Sequence, residues 1–135
     1  MRQRAGVIII QDGRILLLHR YKHGRRYYLV PGGGVEEGET VEEAAVREAR
    51  EETGLDVTIA RKLWAVENHR QLEHYFLCDG FDGRLHLGGP EAERQTQDNV
   101  YRLEWVPLSA LDDIPLFPRY LAEKIYSLFS PPPPG

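Results

Sequence analysis

Apolar residues fall in short runs separated by glycine, proline and polar clusters, and the period of each run identifies its element. Val7–Gln11 and Arg14–His19 flank Asp12-Gly13, the two-residue signal of a tight hairpin. Tyr27–Val30 predicts a short strand closed by Pro31, and Gly32-Gly33-Gly34 predicts a turn or a close backbone approach. Val57–Glu67 and His74–Cys78 read as strands joined by a polar turn around Asn68–Glu73. Val100–Val106 is a further strand after a long polar loop, Asp79–Asn99. Pro118–Phe129 predicts a second helix, with Leu121, Ile125, Leu128 and Phe129 as its apolar stripe. Strands interleaved with two helices predict a mixed α/β (α+β) domain over residues 1–130, followed by a disordered or polyproline tail, Pro131–Gly135.

The first helix departs from the usual amphipathic pattern. Thr40 and Glu43 have capping-box spacing, and Gly54 is a natural stop, so the helix is expected from about Thr40 to Thr53. Val41, Ala44 and Ala45 share its inner stripe, which continues into Glu48 and Glu52, with Glu51 on the flank. Between Gly33 and Leu55 stand eight carboxylates and two arginines. Acids on an inner face need a counterion. A hard divalent cation such as Mg²⁺ takes oxygen ligands and resolves the repulsion, and Arg47 can bridge to Glu51 four residues on. A solvated acidic helix with ordinary ion pairs is the competing reading.

Composition narrows the setting. The chain has 135 residues, a formal net charge of −4 and 41% hydrophobic residues, with no apolar stretch of membrane-spanning or signal-peptide length. The one cysteine, Cys78, excludes an internal disulfide; a cytoplasmic protein is expected, without bulk nucleic-acid or membrane binding. Seven basic residues precede position 35 against one acid, Asp12. Basic side chains beside an acidic, metal-loaded face suit a polyphosphate, so Arg20, Arg25 and Arg26 of a basic loop are candidate phosphate contacts. Tyr27, Tyr28, Tyr75 and Trp105 could stack on a base, although core packing is the plainer role for Tyr28 and Trp105. His69 and His74 lack a third metal ligand at a recognisable spacing. Cys78 reads as a buried strand residue.

Gly33, Glu39, Arg47, Glu48, Ala49, Glu51, Glu52, Gly54 and Leu55 stand at the spacing G-x5-E-x7-R-E-U-x-E-E-x-G-U, where U is apolar. In these nine positions the chain resembles the Nudix hydrolase (MutT-like) family, and Tyr28–Gly33 and Glu104–Leu108 resemble the family's flanking strands. The resemblance implies an α-β-α sandwich around a mixed sheet. It also implies Mg²⁺- or Mn²⁺-dependent cleavage of a nucleoside diphosphate linked to another moiety: a nucleoside triphosphate, a sugar nucleotide or a dinucleoside polyphosphate. Carried onto this chain, Glu48 and Glu52 are the main metal ligands, Glu51 a third, and Gly33 a carbonyl donor. Gly32 and Gly33 let the main chain approach metal and phosphates, while Glu39 and Arg47 brace loop against helix. The base is Glu51, or Glu91 or Glu93 of the long loop. A non-catalytic nucleotide-binding module on the same fold, and either a monomer or a homodimer, stay open.

Overall fold

Three tight hairpins set the strand registers. Each is closed by two residues of positive φ: Asp12 and Gly13, His23 and Gly24, His69 and Arg70. Paired left-handed residues match the twist of the flanking strands. The first two turns carry glycine, and the third does not. The computed structural model describes residues 1–88, 96 and 99–129.

The strands are β1 (Arg2–Gln11), β2 (Arg14–Lys22), β3 (Arg25–Leu29), β4 (Gly32–Gly34), β5 (Asp56–Asn68), β6 (Gln71–Asp82) and β7 (Asn99–Pro107). β1 lies between β4, which it pairs antiparallel, and β6, which it pairs in parallel over Arg2–Ile9 and Gln71–Cys78. β5 closes that side beyond β6. The far end of β1 turns into β2, which carries β3 and β7 on its two edges. The sheet is therefore mixed, with one parallel pairing at its centre.

Helices cover both faces. Helix α1 (Val41–Thr53) packs Ala44, Ala45 and Ala49 against Ala5, Val7, Phe76 and Cys78. On the other face, a 3-10 turn (Leu108–Asp113) and helix α2 (Tyr120–Phe129) bury Leu111, Leu121 and Ile125 against Ile8, Ile15, Leu17 and Tyr75. Small residues on α1 let it approach the sheet closely. The architecture is the α-β-α sandwich around a mixed sheet that the motif implies.

Several expectations change in detail. Arg20–Arg26 is no loop, because β2 and β3 pair through Lys22 and Arg25. β6 begins at Gln71 and runs on to Asp82, so Glu73 stands in a strand instead of a polar turn. The glycine run is neither free turn nor loop but strand β4, and the Leu108–Asp113 turn had no periodic signal. Of the second helix's stripe, Leu121 and Ile125 are buried, while Leu128 is exposed. Residues 131–135 lie outside the described residues.

Candidate active site

The acidic helix is capped as its sequence dictates. Glu43 N–H donates to Thr40 Oγ1 and Thr40 N–H to Glu43 Oε1, both at 3.1 Å. At the other end Gly54, at φ 78°, donates to Arg50 O. The segment after β6 also closes this end, since His86 N–H donates to Thr53 O and Gly88 N–H to Glu52 O. Orphan carbonyls at a helix C-terminus are thus taken up by main-chain donors from far along the chain.

Between those caps α1 sets its carboxylates at different depths. Glu52 is 6% exposed, and its Oε2 accepts the Gly32 N–H at 3.1 Å. Glu48 lies directly over β4: a Cβ placed on Gly33 would come within 2.3 Å of its carboxyl carbon. Only a glycine leaves that space. Gly32 is as tight and less forgiving, since its Cβ would meet the main-chain Ala5 O at 2.4 Å. Glu51 is half exposed on the flank.

Arg47 ties this set together. Its guanidinium donates to Glu39 at 2.7 and 2.9 Å, Glu48 at 3.0 Å, Glu51 at 3.1 Å and the Gly34 carbonyl at 3.0 Å. A planar five-donor fork suits this role in a way an ammonium would not. The Arg47 hydrogen bonds, helped by the Glu36 N–H, hold the Glu39 carboxyl down at about 2 instead of 4.5. Reciprocally, Glu39 first and then Glu48 raise Arg47 further above its ordinary range, against the opposing effect of burial. Helix, loop and β4 are clamped as one unit.

On the opposite side of β4 a cleft of about 660 Å³ opens. Arg4, Arg20, Tyr27, Gln71, Glu73 and Arg119 line it, and Gly32 stands at its edge. Gly32 therefore belongs to both sides, lining the cleft and holding Glu52. Arg20 lies 5.7 Å from the Tyr27 ring and 4.8 Å from the Tyr101 ring, a cation over two aromatic faces. Tyr27 meets Phe117 edge-on at 6.0 Å.

The structure brings Glu48, Glu52, Gly32 and Gly33 to one edge, with Arg47 and Glu51 beside it and Arg20 in the adjoining cleft. It does not bring Arg25 or Arg26 there. Arg20 pairs with Tyr27 while Arg26 pairs with Tyr21, so strand alternation turns Arg26 to the other face, where its Nε meets His19 Nε2 at 3.3 Å. Arg25 is exposed at the hairpin end. Glu91 and Glu93 lie outside the described residues. Tyr28 is buried, stacked on His19 with ring centroids 4.2 Å apart, and Trp105 stacks on Phe81. His74 bonds Gln3 and Lys62 rather than His69, and burial, reinforced by Lys62, lowers its pKa. Burial pushes the Cys78 thiol up to about 12. Arg4, Gln71, Glu73 and Arg119 carried no motif. The spacing of Gln71, Glu73 and Tyr75 at every second position of β6 was the one available signal.

An α-β-α sandwich with this acidic helix places the chain among hydrolases that act on phosphorus-containing acid anhydrides. The model of the NUDIX domain matches residues 1–126, and the chain belongs to the Nudix family. It is 31% identical to an oxidized purine nucleoside triphosphate hydrolase of Danio rerio, over 87% of this chain and 78% of that protein. It is 33% identical to an ADP-ribose pyrophosphatase of Methanocaldococcus jannaschii, over 87% and 71%. The solution structure of the E. coli ORF135 protein superposes with a TM-score of 0.77 at 26% identity, covering 100% of this chain and 95% of that one. Nudix hydrolases act on nucleoside diphosphate derivatives and generally use divalent metals. Among the described residues no helix is long and apolar enough to cross a membrane.

Proposed function

We propose that this chain hydrolyses the pyrophosphate bond of a small nucleotide, a nucleoside diphosphate linked to a further phosphate, sugar or nucleotide, with Mg²⁺ or Mn²⁺ held at the β4 edge. The observation that carries the reading is the convergence of Glu48 and Glu52 on Gly32 and Gly33 at the rim of an arginine-lined cleft. The names of the relatives support it, since one acts on an oxidized purine nucleoside triphosphate and another on ADP-ribose.

The donor set fits the ion. Among the described residues no three His, Cys, Asp or Glu side chains close a cage by themselves. Mg²⁺ does not ask for one, because it keeps waters and is usually held by one or two carboxylates together with substrate phosphates. Glu48 and Glu52 supply that pair, with Glu51 and the Gly33 carbonyl as further oxygen donors. When bound, the ion neutralises phosphoryl oxygens and activates water.

The chain's own residues do the rest. The Gly32 N–H orients Glu52, and Arg47 orients Glu48 and Glu51. Glu51 is the half-exposed carboxylate of the three and takes the proton from the attacking water. Arg4, Arg20 and Arg119 face the substrate's phosphates and offset their charge. The test is a hydrolysis screen over nucleoside triphosphates, sugar nucleotides and dinucleoside polyphosphates with products identified, for the wild type and Glu52→Gln. We expect turnover in Mg²⁺ that is lost on chelation and falls by roughly 10³-fold in Glu52→Gln with an unchanged melting curve. A folded variant with wild-type turnover overturns the assignment.

A further inference from the structure

The cleft has one wall that the anhydride chemistry leaves unused. Strand β6 alternates strictly: Phe76 and Cys78 enter the core under α1, while Gln71, Glu73 and Tyr75 line the cleft. Glu73 is an acid only 8% exposed, within a strand. Tyr75 Oη donates to its Oε1 at 3.1 Å and Tyr120 Oη donates to the same oxygen at 2.7 Å. Burial raises both phenols, Tyr120 to about 12 and Tyr75 beyond that, so both remain protonated donors at any working pH. Two residues earlier on the same face, Gln71 Oε1 is buried with no hydrogen-bond partner among the described residues. A buried acceptor left unpaired is destabilising, and a bound donor would recover that loss.

The position of this wall matters as much as its chemistry. Arg4 of β1 pairs with Gly34 on one side and with Glu73 on the other. Two strand spacings separate the glycine edge from Glu73, roughly 10 Å, the span of a base and its ribose. A ligand with its phosphates at Gly32 thus reaches β6 with its base. Tyr27 and Phe117 supply aromatic surface for that base in the same cleft.

We propose that Glu73, braced by Tyr75 and Tyr120, reads the base of the substrate by accepting its N–H donors, and so selects guanine nucleotides. Guanine alone among the common bases presents two adjacent donors, N1–H and the N2 amino group, to a wall of acceptors. Adenine and cytosine present one amino group beside a ring acceptor. Uracil presents one N–H between two carbonyls, which a carboxylate repels. The inference rests on the hydrolytic reading above and adds the choice of base to it. Glu73 is its specificity-determining residue, and Tyr120 positions it.

The test measures kcat/KM for GTP, ATP, CTP and UTP, and binding of GMP and UMP, in the wild type, Glu73→Gln and Tyr120→Phe. The wild type should prefer GTP to UTP by tenfold or more. Glu73→Gln should lower kcat/KM for GTP at least tenfold more than for UTP, mainly through KM. Tyr120→Phe should weaken GMP binding in the same sense by a smaller factor, with kcat nearly kept, and it still reports if Glu73→Gln does not fold. Hydrolysis of all four nucleotides without guanine preference overturns this inference and leaves the hydrolytic reading standing. An equal loss on every nucleotide makes Glu73 structural and overturns it too. Glu73-dependent binding of GMP without hydrolysis of any substrate overturns the hydrolytic reading instead and keeps the base reader.

Discussion

The two sides of strand β4 are built in opposite ways. On the α1 side, every group at the edge comes from one stretch, Gly32 to Glu52, and Arg47 fastens five of its atoms. On the cleft side, Arg4, Arg20, Glu73 and Arg119 arrive from four separate elements and connections. The first is a rigid local device and the second a composite surface. Chemistry common to many substrates suits the first, and selection among substrates suits the second, because a composite wall changes one residue at a time without disturbing the helix.

The three consecutive glycines of β4 separate the two sides most sharply. Gly32→Ala puts a methyl group 2.4 Å from Ala5 O and 2.7 Å from Gly6 Cα, both main-chain atoms that cannot swing aside. It should cost roughly 2 kcal/mol or more of stability, seen as a lowered denaturant midpoint. Gly33→Ala meets first the Glu48 carboxylate, a flexible end that can move. The fold should survive, with kcat/KM down on the order of 100-fold because the proposed metal ligand Glu48 is displaced. Gly34→Ala meets nothing within 4 Å and should leave stability within about 0.5 kcal/mol and activity unchanged. Equal effects at all three positions would erase the distinction between the sides.

Arg47→Lys probes the clamp. A lysine keeps the charge and loses the fork, so activity should fall roughly 10–100-fold, with the loss in kcat rather than in discrimination among bases. A changed GTP-to-UTP ratio would show that the two sides are coupled.

Acid should act on the α1 side through Glu39. Glu39 is held at about 2 in the folded chain against 4.5 in its absence, so the unfolded state binds the proton more readily. Its contribution is complete above pH 4.5 and disappears as pH falls toward 2. Melting temperatures from pH 5 to pH 2 should therefore fall more steeply for the wild type than for Glu39→Gln.

A small effect of opposite sign belongs to the turn beside the cleft. Arg70 sits at φ 63° where the other hairpins place glycine. Arg70→Gly trades left-handed strain against chain entropy and should stabilise by about 0.5 kcal/mol, read from a urea midpoint.

How much could be read from the sequence follows the same division. The capping box, the Gly54 stop, the Asp12-Gly13 hairpin and the Glu48–Glu52 stripe depend on residues within a turn or two of each other, and local rules reach that far. The sandwich was legible through the motif. Glu73 was not, because a polar residue near a predicted turn looks like part of it until parallel pairing with β1 extends the strand. Arg26 was over-read for the converse reason: proximity to Arg20 in sequence says nothing of which strand face it takes. The β4 pairing and the Leu108–Asp113 turn depend on partners far along the chain.

The parallel pairing of β1 with β6 also governs how the molecule is made. Arg2–Ile9 must wait for Gln71–Cys78 before the central ladder can form, and the last carbonyls of α1 wait for His86 and Gly88. Such non-local closure slows folding and leaves early segments exposed while the ribosome works. A nascent chain that has reached residue 68 already contains every carboxylate of the motif, yet it has no neighbour for one edge of β1 and no lid for the end of the helix. The carboxylates of the motif are synthesised before the strand and the main-chain donors that seat their helix.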